Sequence, residues 1–194
     1  MTPQKGRLIV VSGPSGSGKT TICDRLERDF GCEYVVTATT RAPRTGERDG
    51  FDYYFLSKDE FERRLVANEF LEHARVHGNL YGTPRRSVEE PLARGAVLIL
   101  EIDTQGADQI RETGIEHSSL FIAVPSFEAL EARLRARATE GSSDVERRLR
   151  RAREEIKQAA RYQFVVVNDQ LERAVAEAAR LLGLGPPRAV PGAK

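Results

Sequence analysis

The chain has 194 residues, 40% hydrophobic and 30% charged, ordinary values for a soluble globular protein built as one domain or as one core with an insertion. A net charge of +1 argues against a general nucleic-acid binder, and no run of about 18 apolar residues is present to span a membrane. The opening MTPQKGR lacks the apolar stretch of a signal peptide, and Cys23 and Cys32 read as reduced thiols, so a cytoplasmic protein is expected.

Leu8 to Val11 form a short apolar run that predicts a buried strand, and Thr20 to Asp29 carry the pattern of a helix. Between them, Gly13-Pro14-Ser15-Gly16-Ser17-Gly18-Lys19-Thr20 matches G-x-x-x-x-G-K-[ST] in the strand-to-helix context its mechanism requires. The glycines let successive backbone N–H groups converge on phosphate oxygens, and the helix N-terminus adds a favourable field. Lys19 reaches the β- and γ-phosphates and the Thr20 hydroxyl is placed to ligate Mg²⁺. A phosphate loop alone does not separate a GTPase, an ATPase motor and a small-molecule kinase.

Tyr34 to Thr40 is strand-like, followed by an Arg/Pro/Gly loop and a second strand over Asp52 to Phe55. Ser57-x-x-Glu60 is a capping box that opens a helix over Lys58 to Asn68. Phe70 to His77 and Leu80-Tyr81 flank Gly78-Asn79, a two-residue hairpin signal. Pro91 requires the helix before Gly95 to start late or to kink. Beyond it the rhythm returns: a buried strand over Ala96 to Ile102, a short helix from Thr104 ended by Gly114, and a strand over Leu120 to Val124 stopped by Pro125, with Ser126 placed to cap the next helix. Phe164 to Val167 form a further strand, Leu171 to Leu182 a closing helix, and the tail after 185 has no periodicity. Short apolar runs alternating with amphipathic helices imply parallel strands with crossover helices. The expected fold is therefore α/β: a three-layer P-loop core with a parallel sheet (1–34 and 95–185), an inserted small β-rich lobe (35–94) and a helical lid (about 133–148).

Arg41 and Arg44, three residues apart in a loop shaped by Pro43 and Gly46, could grip a phosphate dianion from two sides, with Thr37 and Tyr53 hydroxyls on its remaining oxygens. The run T-T-R-x-x-R-x-G-E-x-x-G-x-x-Y-x-F closely resembles guanylate kinases of bacterial type. So do Phe70-Leu-Glu72-His-Ala, Gly78-Asn-Leu-Tyr81-Gly-Thr83 and Leu100-Glu-Ile-Asp103-Thr-Gln-Gly106, and the resemblance covers about Arg7 to Leu182. It implies transfer of the γ-phosphoryl of ATP to GMP, with Mg²⁺, by a monomer or homodimer. It also implies that Thr37, Arg41, Arg44, Tyr53 and Tyr81 hold the GMP phosphate, while Glu72, Thr83 and Asp103 read the guanine. Guanine's N1–H and N2–H₂ donors suit the two carboxylates, and its O6 acceptor suits the Thr83 hydroxyl. Family members often carry serine where this chain has Thr37 and Thr83, and aspartate where it has Glu101.

Between Arg133 and Arg153 lie eight arginines and three acids. Arg133 and Arg137 share one helical face, Ala138 to Ser143 reads as a loop, and Arg148 falls on the following helix. This resembles the lid of nucleoside-monophosphate kinases, which brings positive charge to the transferring phosphoryl. Arg137 and Arg148 are the expected participants, with Arg133 near ATP; Arg135, Arg147, Arg150, Arg151 and Arg153 read as surface residues. Asn168 lies where the family contacts adenine. Two rivals remain open on this footing: a non-catalytic guanylate-kinase-like scaffold module that binds phosphopeptides, and a kinase for another phosphorylated acceptor such as a ribose bisphosphate.

Overall fold

A computed structural model describes residues 5–76, 78–136 and 142–188. Five parallel strands form the main sheet in the order β2-β7-β1-β8-β9: β1 (Arg7–Ser12), β2 (Glu33–Tyr34), β7 (Val97–Glu101), β8 (His117–Ala123) and β9 (Phe164–Val167). Alternation of side chains along β1 explains the continuous apolar run. Ile9 and Val11 face Ile22 and Leu26 of α1 (Lys19–Phe30) and Val175 of α7 (Leu171–Leu181), whereas Leu8 and Val10 face Val88 of α3 (Arg86–Ala93) and Ile110 of α4 (Thr104–Glu112). Both faces are covered, which gives three layers.

From β1 the chain turns into α1 on one face and crosses to the edge strand β2, while from the adjacent β7 it turns into α4 on the other face and crosses to β8. Neighbouring strands whose connections leave in opposite directions open a crevice at their carboxyl ends, where α/β sheets bind ligands. The phosphate loop leaves one of those ends and Glu101 closes the other.

A second sheet, ordered β4-β3-β6-β5, contains β3 (Thr37–Thr39), β4 (Tyr53–Phe55), β5 (Phe70–Val76) and β6 (Asn79–Pro84). Helix α2 (Lys58–Val66) seals it: Phe61 stacks on Phe70 with ring centroids 4.5 Å apart, against Ala38, Tyr54 and Leu80. The strand-like run Tyr34 to Thr40 is thus divided between two sheets. Tyr34 pairs beside Ile99 in the first, Val35 donates its N–H to Ile99 O (2.9 Å), and Ala38 pairs with Gly82 in the second. Apolar and β-branched composition is common to both halves, so propensity does not mark the crossing.

Three local expectations shift. Helix α2 stops at Val66, and Asn68 adopts a left-handed φ of 55°, a conformation asparagine tolerates. Val76 pairs with Asn79, so Asn79 opens β6 instead of lying in the turn, Gly78 has φ 85°, and the expected strand end at His77 lies outside the described residues. Helix α3 starts at Arg86 and runs through Pro91, ending within a turn, so the missing N–H costs one bond near the end. Helices α5 (Phe127–Ala136), capped by Ser126 Oγ, and α6 (Ser142–Lys157) pack through Leu130, Leu134, Leu149 and Ala152. Arg137 and the expected loop from Ala138 onward lie outside the described residues as far as 141, and Ser142 and Ser143 open α6 instead. In the tail, Arg188 donates its N–H to Asp29 O (2.6 Å). Among the described residues, no helix is long and apolar enough to cross a membrane.

Candidate active site

The loop between β1 and α1 takes left-handed backbone at Gly16 (φ 87°) and Gly18 (φ 86°). Space enforces glycine as well: a Cβ on Gly18 would lie 2.3 Å from Asn168 Nδ2, and one on Gly13 would lie 2.3 Å from Ile122 O. Lys19 folds back across the loop, its ammonium donating to Gly13 O (2.7 Å) and Pro14 O (3.1 Å). Asn168, buried at the end of β9, donates to Ser17 O (2.7 Å) and accepts Arg133 Nη2 on its own carbonyl (2.9 Å). Arg133, Asn168, Gly16 and Gly18 border a second, shallower hollow on the far side of the loop.

A cleft of about 340 Å³, in the range of small-molecule sites, runs from this loop toward the second sheet. Gly13, Ser15, Lys19 and Thr20 line one end, and Thr37, Tyr53, Glu72 and Tyr81 line the other, with Glu101, Asp103 and Arg148 between them. Thr20 Oγ1 donates to Glu101 Oε1 (3.0 Å), and the Tyr34 hydroxyl donates to Glu101 Oε2.

Glu72 is 4% exposed and accepts the Thr83 hydroxyl at 2.5 Å, a meeting set by β5–β6 register, which pairs the two residues directly. Burial, reinforced by the nearby Asp103, pushes its carboxyl up to about 7 against the pull of the Thr83 bond. Gly106 makes room for it, since a Cβ there would stand 2.4 Å from Glu72 Oε2. Asp103 caps α4, its Oδ1 accepting Gly106 N–H (2.9 Å), while its Oδ2 accepts Arg151 Nη2 (2.6 Å). Arg151 also donates through Nε to Glu155 (3.0 Å), whose carboxyl is raised by burial and held down by Arg151 and Lys19.

Arg41 and Arg44 do not line the cleft. The Arg41 guanidinium is held in a two-pronged pair by Glu47 (2.9 and 2.8 Å) and lies 5.4 Å from the Tyr53 ring centroid. Arg44 is exposed, and its backbone N–H bonds Glu47 Oε2 (2.7 Å). The Glu47 carboxyl is held below the usual range by its bond to Arg41. Pro14 and Ser17 are buried within the loop.

Arg151 is the clear departure from expectation: it turns into the cleft beside Arg148 instead of facing solvent. Residues 148, 151 and 155 stand three and four apart on α6 and so form one stripe, a spacing visible in the sequence. Sequence alone gives Glu101 a place in a strand and in a family motif where relatives often carry aspartate, and gives Tyr34 only a place in a strand; neither is marked as a site residue.

The guanylate kinase family model matches residues 5–183. The chain is 53% identical over 174 residues to a guanylate kinase of Symbiobacterium thermophilum, covering 89% of this chain and 82% of that one. It is 47% identical over 172 residues to a guanylate kinase of Clostridium tetani, covering 89% and 83%. The crystal structure of guanylate kinase from Anaplasma phagocytophilum superposes with a TM-score of 0.74 at 36% identity, over 93% of this chain and 86% of that one. A match across nearly the whole chain, around a phosphate loop that shares one cleft with a buried Glu–Thr pair, places this protein in the guanylate kinase family.

Proposed function

We propose that the chain transfers the γ-phosphoryl of ATP to GMP, giving ADP and GDP. The observation that carries this reading is the single cleft joining the Lys19 loop to Glu72, whose carboxylate is backed by the buried Thr83 hydroxyl, with donor and acceptor ends on the two sheets. A phosphate oxygen of GMP attacks the γ-phosphorus, and the bond from that phosphorus to the bridging oxygen of ADP breaks. The acceptor is already an anion, so no side-chain nucleophile is required and catalysis rests on positioning and electrostatics.

On this reading Lys19 exchanges its carbonyl partners for β- and γ-phosphate oxygens, and the loop from Gly13 to Gly18 supplies backbone N–H groups. Arg133 and Asn168 border the hollow that takes the adenosine side, and Arg148 and Arg137 bring charge to the transferring group. Thr37, Tyr53 and Tyr81 with Arg41 and Arg44 take the GMP phosphate. Because Arg41 is engaged by Glu47 and Arg44 is exposed, the loop carrying them has to fold in on binding. Glu72 accepts from guanine N1–H and N2–H₂, Thr83 meets O6, and Asp103 contributes through the oxygen now given to Arg151.

Thr20 Oγ1 is a hard oxygen donor beside the phosphate loop, its hydroxyl oriented by a 3.0 Å bond to Glu101 Oε1, which suits Mg²⁺ held by few protein groups, waters and substrate phosphates. When bound, the ion neutralises charge on the β- and γ-phosphates.

Steady-state ADP formation with GMP, AMP, UMP and a ribose phosphate tests the assignment. GMP should be the strongly preferred acceptor. Equal use of the ribose phosphate would overturn it, and phosphopeptide binding without any turnover would favour the scaffold class.

A further inference from the structure

The carboxylate at the end of β7 is held from two sides, and only one of its partners belongs to the phosphate loop. We propose that Tyr34 is a positioning residue for the cation site: through Glu101 it fixes the direction of the Thr20 hydroxyl. This rests on the reading of Thr20 as the Mg²⁺ ligand. A glutamate at a strand end has three side-chain torsions, so its carboxylate stays put only if something holds it. Tyr34 takes Oε2, which leaves Oε1 turned toward Thr20. Thr20 has one hydroxyl hydrogen. With that hydrogen committed to Glu101, the oxygen lone pairs of Thr20 face away from the carboxylate, the polarity a cation ligand needs.

The reach is set by register. Tyr34 pairs beside Ile99, two residues before Glu101 on β7, an offset of about 6.6 Å along a strand. A phenol spans that distance and a serine or threonine hydroxyl does not. Tyr34 packs against the core cluster of β1 and α1, so the anchor is itself held.

Tyr34→Phe keeps the ring and removes only the hydroxyl. The probe is Mn²⁺ binding to the complex of enzyme and ADP, followed by electron paramagnetic resonance, with Mg²⁺ dependence of turnover alongside. Mn²⁺ affinity should fall about 10-fold, the lower end of what outer hydrogen bonds to metal ligands contribute. KM for GMP should stay unchanged. In a Glu101→Gln background, adding Tyr34→Phe should change Mn²⁺ affinity by less than about twofold, because residues acting in series are not additive. An affinity within about twofold of the unaltered protein, or the same loss with and without Glu101, would overturn the proposal. If the unaltered protein with ADP binds Mn²⁺ no more tightly than ADP alone, the cation reading of Thr20 fails first and takes the role of Tyr34 with it.

Discussion

On the proposed reading, the two ends of the cleft hold a nucleotide in opposite ways. At the phosphate loop, recognition is built from one contiguous stretch of backbone, and its charged member, Lys19, rests on carbonyls of its own loop. At the second sheet, recognition on this reading depends on a buried carboxylate, Glu72, assembled with Thr83 from one hairpin and with Gly106 and Asp103 from the N-terminus of α4. Backbone N–H groups suit a phosphate whose charge is symmetric and identical in every nucleotide. A desolvated carboxylate suits a base edge, because leaving it unpaired is costly and the cost falls on the wrong base. On that reading the donor end serves any nucleotide, while the acceptor end is selective and sensitive to its supports.

Changing Glu72 should break this contrast most completely. Adenine offers a lone pair at N1 and no amino group at C2, so AMP would leave the carboxylate buried and unpaired. Sites that depend on such bonds discriminate by ~10⁴ or more. Glu72→Gln removes the charge and supplies an NH₂ donor that adenine N1 accepts. The GMP:AMP ratio of kcat/KM should collapse by orders of magnitude, mainly through loss of GMP efficiency. A ratio kept within a few-fold would move guanine recognition to Asp103.

Lys19→Ala comes next. Electrostatic stabilisers of this kind contribute ~10²–10³ in rate each, so turnover should fall by that factor with both acceptors alike, and the melting temperature should stay put. Equal loss with GMP and AMP is the signature of a donor-end change. A variant that keeps most of its turnover would remove the phosphate loop from the mechanism.

Gly106→Ala sharpens the claim about supports. Its Cβ would enter the space of Glu72 Oε2 at 2.4 Å, and displacement of a positioned group by about 1 Å can cost ~10²-fold. The loss should appear in kcat/KM for GMP, with the affinity for ADP unchanged. Loss of ADP affinity instead would show that the two ends are coupled through α4.

What could be read in the sequence follows the same division. The phosphate loop is a local motif, so eight consecutive residues suffice to find it. The Glu72–Thr83 contact is legible only through the family resemblance, since a turn at Gly78-Asn79 would set Glu72 opposite Arg85 and the observed pairing of Val76 with Asn79 brings it to Thr83. The contacts that escaped join distant elements: Arg151 meets Asp103 across 48 residues and Tyr34 meets Glu101 across 67. Neither follows from periodicity. An arginine-rich helix face is compatible with solvent, and only the packing of α5 on α6 through Leu130 and Leu149 decides which arginines turn inward. The crossing at Val35 was hidden for a related reason, because a strand that changes sheets keeps its composition.

The smallest effect tests the buried carboxylate without changing guanine chemistry. Burial raises Glu72 to about 7 in the folded protein, against 4.5 for the ordinary group. The ionised form accepts from guanine, so kcat/KM for GMP should rise about tenfold per pH unit below 7 and level off above it. The phosphate of GMP titrates nearby, so the comparison is with Glu72→Gln, whose profile should keep only the phosphate's step. Stability should move the other way. Between 4.5 and about 7 the folded protein holds a proton that the unfolded chain has lost, so this group weakens the fold as pH rises through that window and adds no further change above it. The full difference is on the order of 3 kcal/mol for a shift of this size. Glu72→Gln carries no such proton. Its melting temperature should therefore match the unaltered protein near pH 5 and exceed it by several degrees at pH 8, once the residues common to both are cancelled by the comparison. Equal melting temperatures at both pH values would mean that Glu72 is solvated in the free protein, and the selectivity of the acceptor end would then lose its physical basis.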